Sequence, residues 1–119
     1  MPQRRRVLIA DDQRPTRKGL KALLELAPEV AWVGEAADGQ EAIDMVETCR
    51  PDVVLMDVRM PVLDGIEATQ RIKSLWPKVK VIVLTLYAEY QAQALAAGAD
   101  LFLVKGGPPE SFLNAICKA

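Results

Sequence analysis

The feature that most limits what this chain can fold into is a strict alternation. Short apolar runs change places with segments whose apolar residues recur at helical spacing, from one end of the chain to the other. Val7-Leu-Ile-Ala10 is a short buried run that ends in Asp11-Asp12. Leu20, Leu23, Leu24 and Ala27 then repeat with a helical period, with Pro15 as a first-turn residue and Pro28 as the stop. Trp32 to Ala36 reads as a second strand, and Asp38-Gly39 as a turn. A second helix over Gln40 to Cys49 puts Ala42, Ile43, Val46 and Cys49 on one face, and Pro51 closes it. Asp52-Val-Val-Leu-Met-Asp57 is a continuous apolar strand framed by acids. Asp64-Gly65 starts a third helix through Ala68, Ile72 and Leu75, stopped by Pro77. Val79 to Thr85 is a fourth strand, and Ala88 to Ala97 an alanine-rich helix with Gly98 as its C-cap. Leu101 to Lys105 is the fifth strand, Gly106-Gly-Pro-Pro109 a loop, and a last helix carries Phe112, Leu113 and Ile116.

Five strands therefore alternate with five helices. Strands that are apolar throughout belong to parallel sheets covered on both faces, and short connections imply right-handed βαβ units. The 119 residues make one domain, 1–119, large enough to bury a core. An eight-stranded barrel would need about twice that length. The expected fold is α/β, an open doubly wound sheet.

Composition removes several function classes. Fifteen basic residues against sixteen acidic ones demand neither a nucleic-acid nor a membrane partner. The absence of histidine excludes Ser-His-Asp and Cys-His catalysis and any histidine-ligated metal. Cys49 and Cys117 fit no metal-binding spacing and read as small buried hydrophobes in a reducing compartment. The basic start, with Arg4-Arg-Arg6, is followed by only about four apolar residues, short of the roughly seven of a secretory signal. The arginines read as a solvated edge and the protein as cytoplasmic.

Sites in open α/β sheets form outside the carboxyl ends of the strands. There the chain puts Asp11 and Asp12 after the first strand, Asp57 after the third, Thr85 after the fourth and Lys105 after the fifth. Any one strand-end acid is ordinarily a turn former or helix cap, the role expected of Asp52 and Asp64. The five together are harder to explain that way. Three neighbouring carboxylates repel unless a cation joins them. Lys105 supplies one positive charge, and a hard divalent ion such as magnesium would supply the rest. A carboxylate can attack phosphorus to give an aspartyl phosphate, and needs no base to do so. Lys105 and the Thr85 hydroxyl would then face the phosphoryl oxygens.

As a set, Asp11-Asp12, Met56-Asp57-Val-Arg-Met-Pro61 with Asp64-Gly65, Leu84-Thr85 and Val104-Lys105 resemble the receiver domain of two-component response regulators. The resemblance covers essentially the whole chain. It implies a flavodoxin-like fold with strand order 2-1-3-4-5, an order for which a chemotaxis receiver is a standing example. It also implies a phosphorylation-dependent switch rather than an enzyme, one that catalyses only its own phosphotransfer and dephosphorylation. Asp57 would be the phosphoacceptor. Asp12, Asp57, the backbone carbonyl of Arg59 and, often through water, Asp11 would hold Mg2+. Thr85 and Phe102 would be the switch pair, and Arg59 and Tyr87 would tune phosphate lifetime. A sensor histidine kinase or a small phosphodonor would supply the phosphoryl group. The surface of the fourth helix, fifth strand and fifth helix would act on an output domain or partner, or on a second copy of the chain, with no nucleic acid bound by the domain itself. Ala97-Gly-Ala-Asp100 and Lys105-Gly106 look closest to the branch joined to a helix-turn-helix DNA-binding domain, so transcription is the implied output.

Three positions depart from the family pattern. Phe102 lacks the hydroxyl of the commoner tyrosine. The interval from Thr85 to Gly98 is shorter by about two residues, a change of the size that loops absorb. Arg59 and Tyr87 put a bulky pair at the two lifetime-tuning positions. As a separate matter, Arg59 stands where aspartyl-phosphate phosphohydrolases carry a second acid, which ranks that activity low. A phosphorylation-independent interaction module on the same fold stays open, and so, more weakly, does a flavodoxin-like cofactor carrier, although Asp11-Asp12 replaces a glycine-rich phosphate loop.

Overall fold

A computed structural model describes residues 4–118. The strands are β1 (Arg5–Ala10), β2 (Val30–Ala36), β3 (Val53–Met56), β4 (Lys80–Thr85) and β5 (Leu101–Val104). The helices are α1 (Arg14–Glu25), α2 (Gly39–Cys49), α3 (Gly65–Leu75), α4 (Gln91–Ala96) and α5 (Pro109–Lys118). All strand pairs are parallel, in the order β2-β1-β3-β4-β5.

The alternation of side chains along each strand divides the core in two. Leu8, Ala10, Val54, Met56, Val81 and Val83 face α2, α3 and α4, where Ala42, Val46, Ala68, Ile72 and Ala94 meet them. Val7, Ile9, Val53, Leu55 and Ile82 face α1 and α5, against Leu24, Phe112 and Ile116. Each fully buried Leu, Ile or Phe contributes roughly 1.5–3 kcal/mol of transfer free energy, so both faces must be covered for the sheet to persist.

Local chemistry fixes the helix ends. Asp38 caps α2 by accepting from the Glu41 N–H, and Asp64 caps α3 by accepting from the Glu67 N–H. Asp52, expected as a turn former or helix cap, instead accepts from the Arg6 N–H at 2.8 Å and ties the start of β3 to β1. Gly98, at φ +104°, ends α4: its N–H bonds to Leu95 O and the Ala99 N–H to Ala94 O, closing a Schellman motif.

Several expectations need correction. The segment read as a helix from Ala88 to Ala97 divides into a 3-10 turn over Ala88–Tyr90 and the six-residue α4. No side chain caps its start, and the Tyr90 N–H bonds to Tyr87 O in the tighter pattern. Pro109 is the first residue of α5 rather than loop, where a missing N–H costs nothing. Of the apolar residues at helical spacing in α1, Leu23 is 39% exposed, while Leu24 is buried against the sheet. The two cysteines are free but only half-buried. The arginines are pinned, with Arg4 exposed and Arg5 and Arg6 only partly exposed. Arg4 donates to Val30 O, Arg5 to Cys117 O and Arg6 to Cys49 O, and the Arg6 guanidinium lies 4.6 Å from the centre of the Trp32 ring.

Candidate functional site

Parallel pairing of β1 with β3 puts the two strand ends side by side, and the Asp57 N–H donates to Ala10 O at 2.9 Å. Asp11 and Asp57 are therefore neighbours because of sheet topology. β5 pairs with β4, and the Lys105 N–H donates to Thr85 O at 2.8 Å, one residue beyond the strand. That bond aims Lys105 back over the sheet end. Its Nζ lies 2.7 Å from Asp11 Oδ2 and 3.0 Å from Asp57 Oδ2. Burial alone would push the Lys105 ammonium down, but the hydrogen bonds to Asp11 and Asp57 carry it above the ordinary lysine value.

The second oxygen of each acid is held by backbone. Asp11 Oδ1 accepts from the Gln13 N–H and Asp57 Oδ1 from the Val58 N–H, both at 2.8 Å. Asp11 is buried, and the Asp57 side chain is 11% exposed. Asp12 is partly exposed and has no ion pair among the described residues. One carboxylate oxygen from each of the three lies within 4.8 Å of the others. Three hard oxygen donors against one ammonium suit a hard divalent cation and offer nothing to a thiophilic one. Gly65 closes the site from behind. A side chain there would collide with Asp57 O, and the Gly65 N–H donates to Val58 O.

Thr85 is wholly buried, and its Oγ1 accepts only a long bond, 3.4 Å, from the Tyr87 N–H. Phe102 is half-buried opposite Val83 and packs on the core of the α2–α4 face. Asp11, Asp12, Asp57, Thr85 and Lys105 thus share one sheet edge, whereas Phe102 lies lower on β5. Arg59 is exposed, its guanidinium 3.8 Å above the Tyr87 ring, with Nε donating to Tyr90 Oη at 3.2 Å. Sequence reasoning named Arg59 and Tyr87 and missed Tyr90, because three aromatic or basic positions in separate loops carry no periodic signal. A cleft of about 660 Å³ runs from Asp12 and Arg59 between α3 and the Tyr90 segment. One strained residue borders it. Val62, β-branched and exposed, has φ +70° in a tight turn where the Leu63 N–H reaches Pro61 O.

A family model described as the response regulator receiver domain matches residues 7–117. The transcriptional regulatory protein LnrK of Bacillus subtilis is 40% identical over 113 residues, 93% of this chain and 51% of the relative. The nitrate/nitrite response regulator protein NarL of Escherichia coli is 36% identical over 115 residues, 95% of this chain and 53% of the relative. The chain spans about half the length of these curated relatives. Among solved structures, the receiver domain of the putative response regulator NarL from Mycobacterium tuberculosis superposes with a TM-score of 0.91 at 32% identity, over 98% of this chain and 96% of that one.

Proposed function

This chain belongs to the response regulator receiver domain family, and from that premise we propose that it is a switch thrown by transfer of a phosphoryl group to Asp57. The observation that carries the reading is the bridge of Lys105 between Asp11 and Asp57, with the Asp12 carboxylate beside it. A carboxylate oxygen of Asp57 attacks phosphorus, the bond from phosphorus to the donor's leaving group breaks, and the leaving group takes its proton from solvent. Lys105 then moves its donor from the Asp57 oxygen to a phosphoryl oxygen. Thr85, whose hydroxyl is weakly held, turns toward another. Asp11, Asp12, Asp57 and the Arg59 carbonyl are the groups that would hold Mg2+, which when bound neutralises charge on the phosphoryl oxygens.

The donor is a sensor histidine kinase or a small phosphodonor such as acetyl phosphate. Departure of Thr85 from its resting place would let Phe102 move inward and change the surface of α4, β5 and α5. The names of the relatives, transcriptional regulatory proteins, point to transcription as the output. Because the chain covers only about half of those relatives, the output domain, the kinase and any dimer belong to this proposal.

Intact mass after incubation with acetyl phosphate, with and without magnesium, tests the reading. A single phosphoryl adduct is expected that requires both magnesium and Asp57 and is lost in Asp57→Asn. The irregular start of α4 favours one competitor, an interaction module that ignores phosphorylation. In that case the folded chain takes up no phosphoryl group, and Asp57→Asn leaves partner binding unchanged.

A further inference from the structure

We propose that Tyr90 is a positioning residue for this site, holding Arg59 in a clasp that a phosphoryl group on Asp57 pulls open. The inference rests on Asp57 being the phosphoacceptor. It adds a residue to which neither motif nor spacing points.

Arg59 follows Asp57 by two residues, on the segment between β3 and α3. Tyr87 and Tyr90 stand on the segment between β4 and α4. The guanidinium carbon of Arg59 is 3.8 Å from the Tyr87 ring centre and 5.8 Å from that of Tyr90. Its Nε donates to Tyr90 Oη, and the two rings meet edge to face at 6.2 Å. Tyr90 is half-buried and packs on the core of the α2–α4 face, so it is the fixed end of the clasp. Arg59 is the loose end, exposed and with no carboxylate partner among the described residues.

At contact distance a permanent positive charge thus meets two tyrosine rings and one neutral hydroxyl, with the Glu89 carboxylate acting from farther off. Such contacts are modest beside a charge-assisted bond to a phosphoryl oxygen. Phosphorylation brings up to two negative charges to the residue two positions away. The cleft lined by Asp12, Arg59 and Tyr90 leaves room for the guanidinium to swing. Two consequences follow from that exchange. Arg59 covers the phosphoryl group against water, and the 3-10 turn loses its tie to the acceptor loop.

The test combines Arg59 Nε–H resonances of labelled protein with phosphoryl lifetime by intact mass, using acetyl phosphate and magnesium. Before any phosphodonor, Tyr90→Phe should shift the Arg59 Nε–H signal. After phosphorylation the wild-type signal should move. The Tyr90→Phe adduct should outlast the wild-type one about fivefold, the factor carried by a hydrogen bond of ordinary net strength. Arg59→Gln should shorten the lifetime, and adding Tyr90→Phe to it should change nothing more. Adducts of wild type and Tyr90→Phe that decay at one rate would overturn the clasp alone. So would a Tyr90→Phe effect that persists without Arg59. Absence of an adduct in every variant would overturn the clasp and the phosphoacceptor reading together.

Discussion

Two lysine–aspartate clusters sit at opposite ends of the same sheet. At the amino ends of β4 and β5, Lys73 Nζ donates to Pro77 O, Val79 O and Asp100 Oδ2, and that same Asp100 oxygen accepts from the Val81 N–H. One charge meets one charge, and backbone carbonyls take up the remaining ammonium donors. At the carboxyl ends, Lys105 meets Asp11 and Asp57 with Asp12 beside them, one positive charge against three negative. Residue types and distances are alike; the balance of charge is not. A neutral cluster whose lysine and aspartate are matched one to one is a staple. A cluster short of positive charge is a site, because its energy falls when a cation or a rearrangement arrives.

The largest expected effect belongs to the staple. Asp100→Ala leaves Lys73 without its counter-charge and the Val81 N–H without its side-chain acceptor, and should cost about 2 kcal/mol in urea unfolding. A smaller loss would mean that the carbonyls of Pro77 and Val79 suffice, and the comparison would weaken. At the site the sign should reverse. Without divalent metal, Asp12→Asn removes an unpaired negative charge and should raise stability by up to about 1 kcal/mol. Added magnesium should stabilise the native chain and help the variant less. If Asp12→Asn destabilises the metal-free protein, the charge deficit is not what distinguishes the two ends.

A third cluster carries the opposite imbalance. Glu35, at the end of β2, is ringed by Arg17, Lys18 and Lys21 of α1. The hydrogen bond from Lys18 leads, with Arg17 and Lys21 adding to it against burial, in lowering its carboxyl from 4.5 to about 2. A carboxyl lowered by folding stabilises above its unfolded value. This contribution should therefore be whole above about pH 4.5 and vanish as pH falls toward 2. Because Lys18, which leads the shift, is half exposed, that contribution should be about 1 kcal/mol. Acid titration of stability for Glu35→Gln should lack that limb, and an unchanged limb would show that the ring of cations is ornamental.

Much of this was legible in the sequence because it depends on short-range pattern. Val7–Ala10 and Val53–Met56 are apolar runs, and a parallel sheet turns such runs into neighbouring strand ends, so the pattern alone places Asp11 beside Asp57. The cap at Asp64 follows from local hydrogen bonding, whereas Asp38, read as a turn residue, caps α2 instead. The staple was illegible: Lys73, Asp100 and Val81 lie on three elements, and Lys73 looks like any helix-surface lysine. The break in the helix at Tyr90 was hidden too, since alanine-rich sequence favours helix while the tie of Tyr90 to Arg59 comes from a loop far away in the chain. Leu23 and Leu24 share one periodic signal, and only packing decides which of them meets the sheet.

The bond from the Lys105 N–H to Thr85 O has a mechanical consequence. It pins the main chain of Thr85, and the Asp100 N–H to Val81 O bond pins the chain again before β5. Between these two anchors nothing from Leu86 to Ala99 belongs to the sheet. The threonine is thus a fulcrum. Its buried side chain can turn as a single rotamer, while the beam beyond it must pivot as a whole segment, on the slower clock of a loop. A trigger and its lever that run at such different speeds need not move in one step.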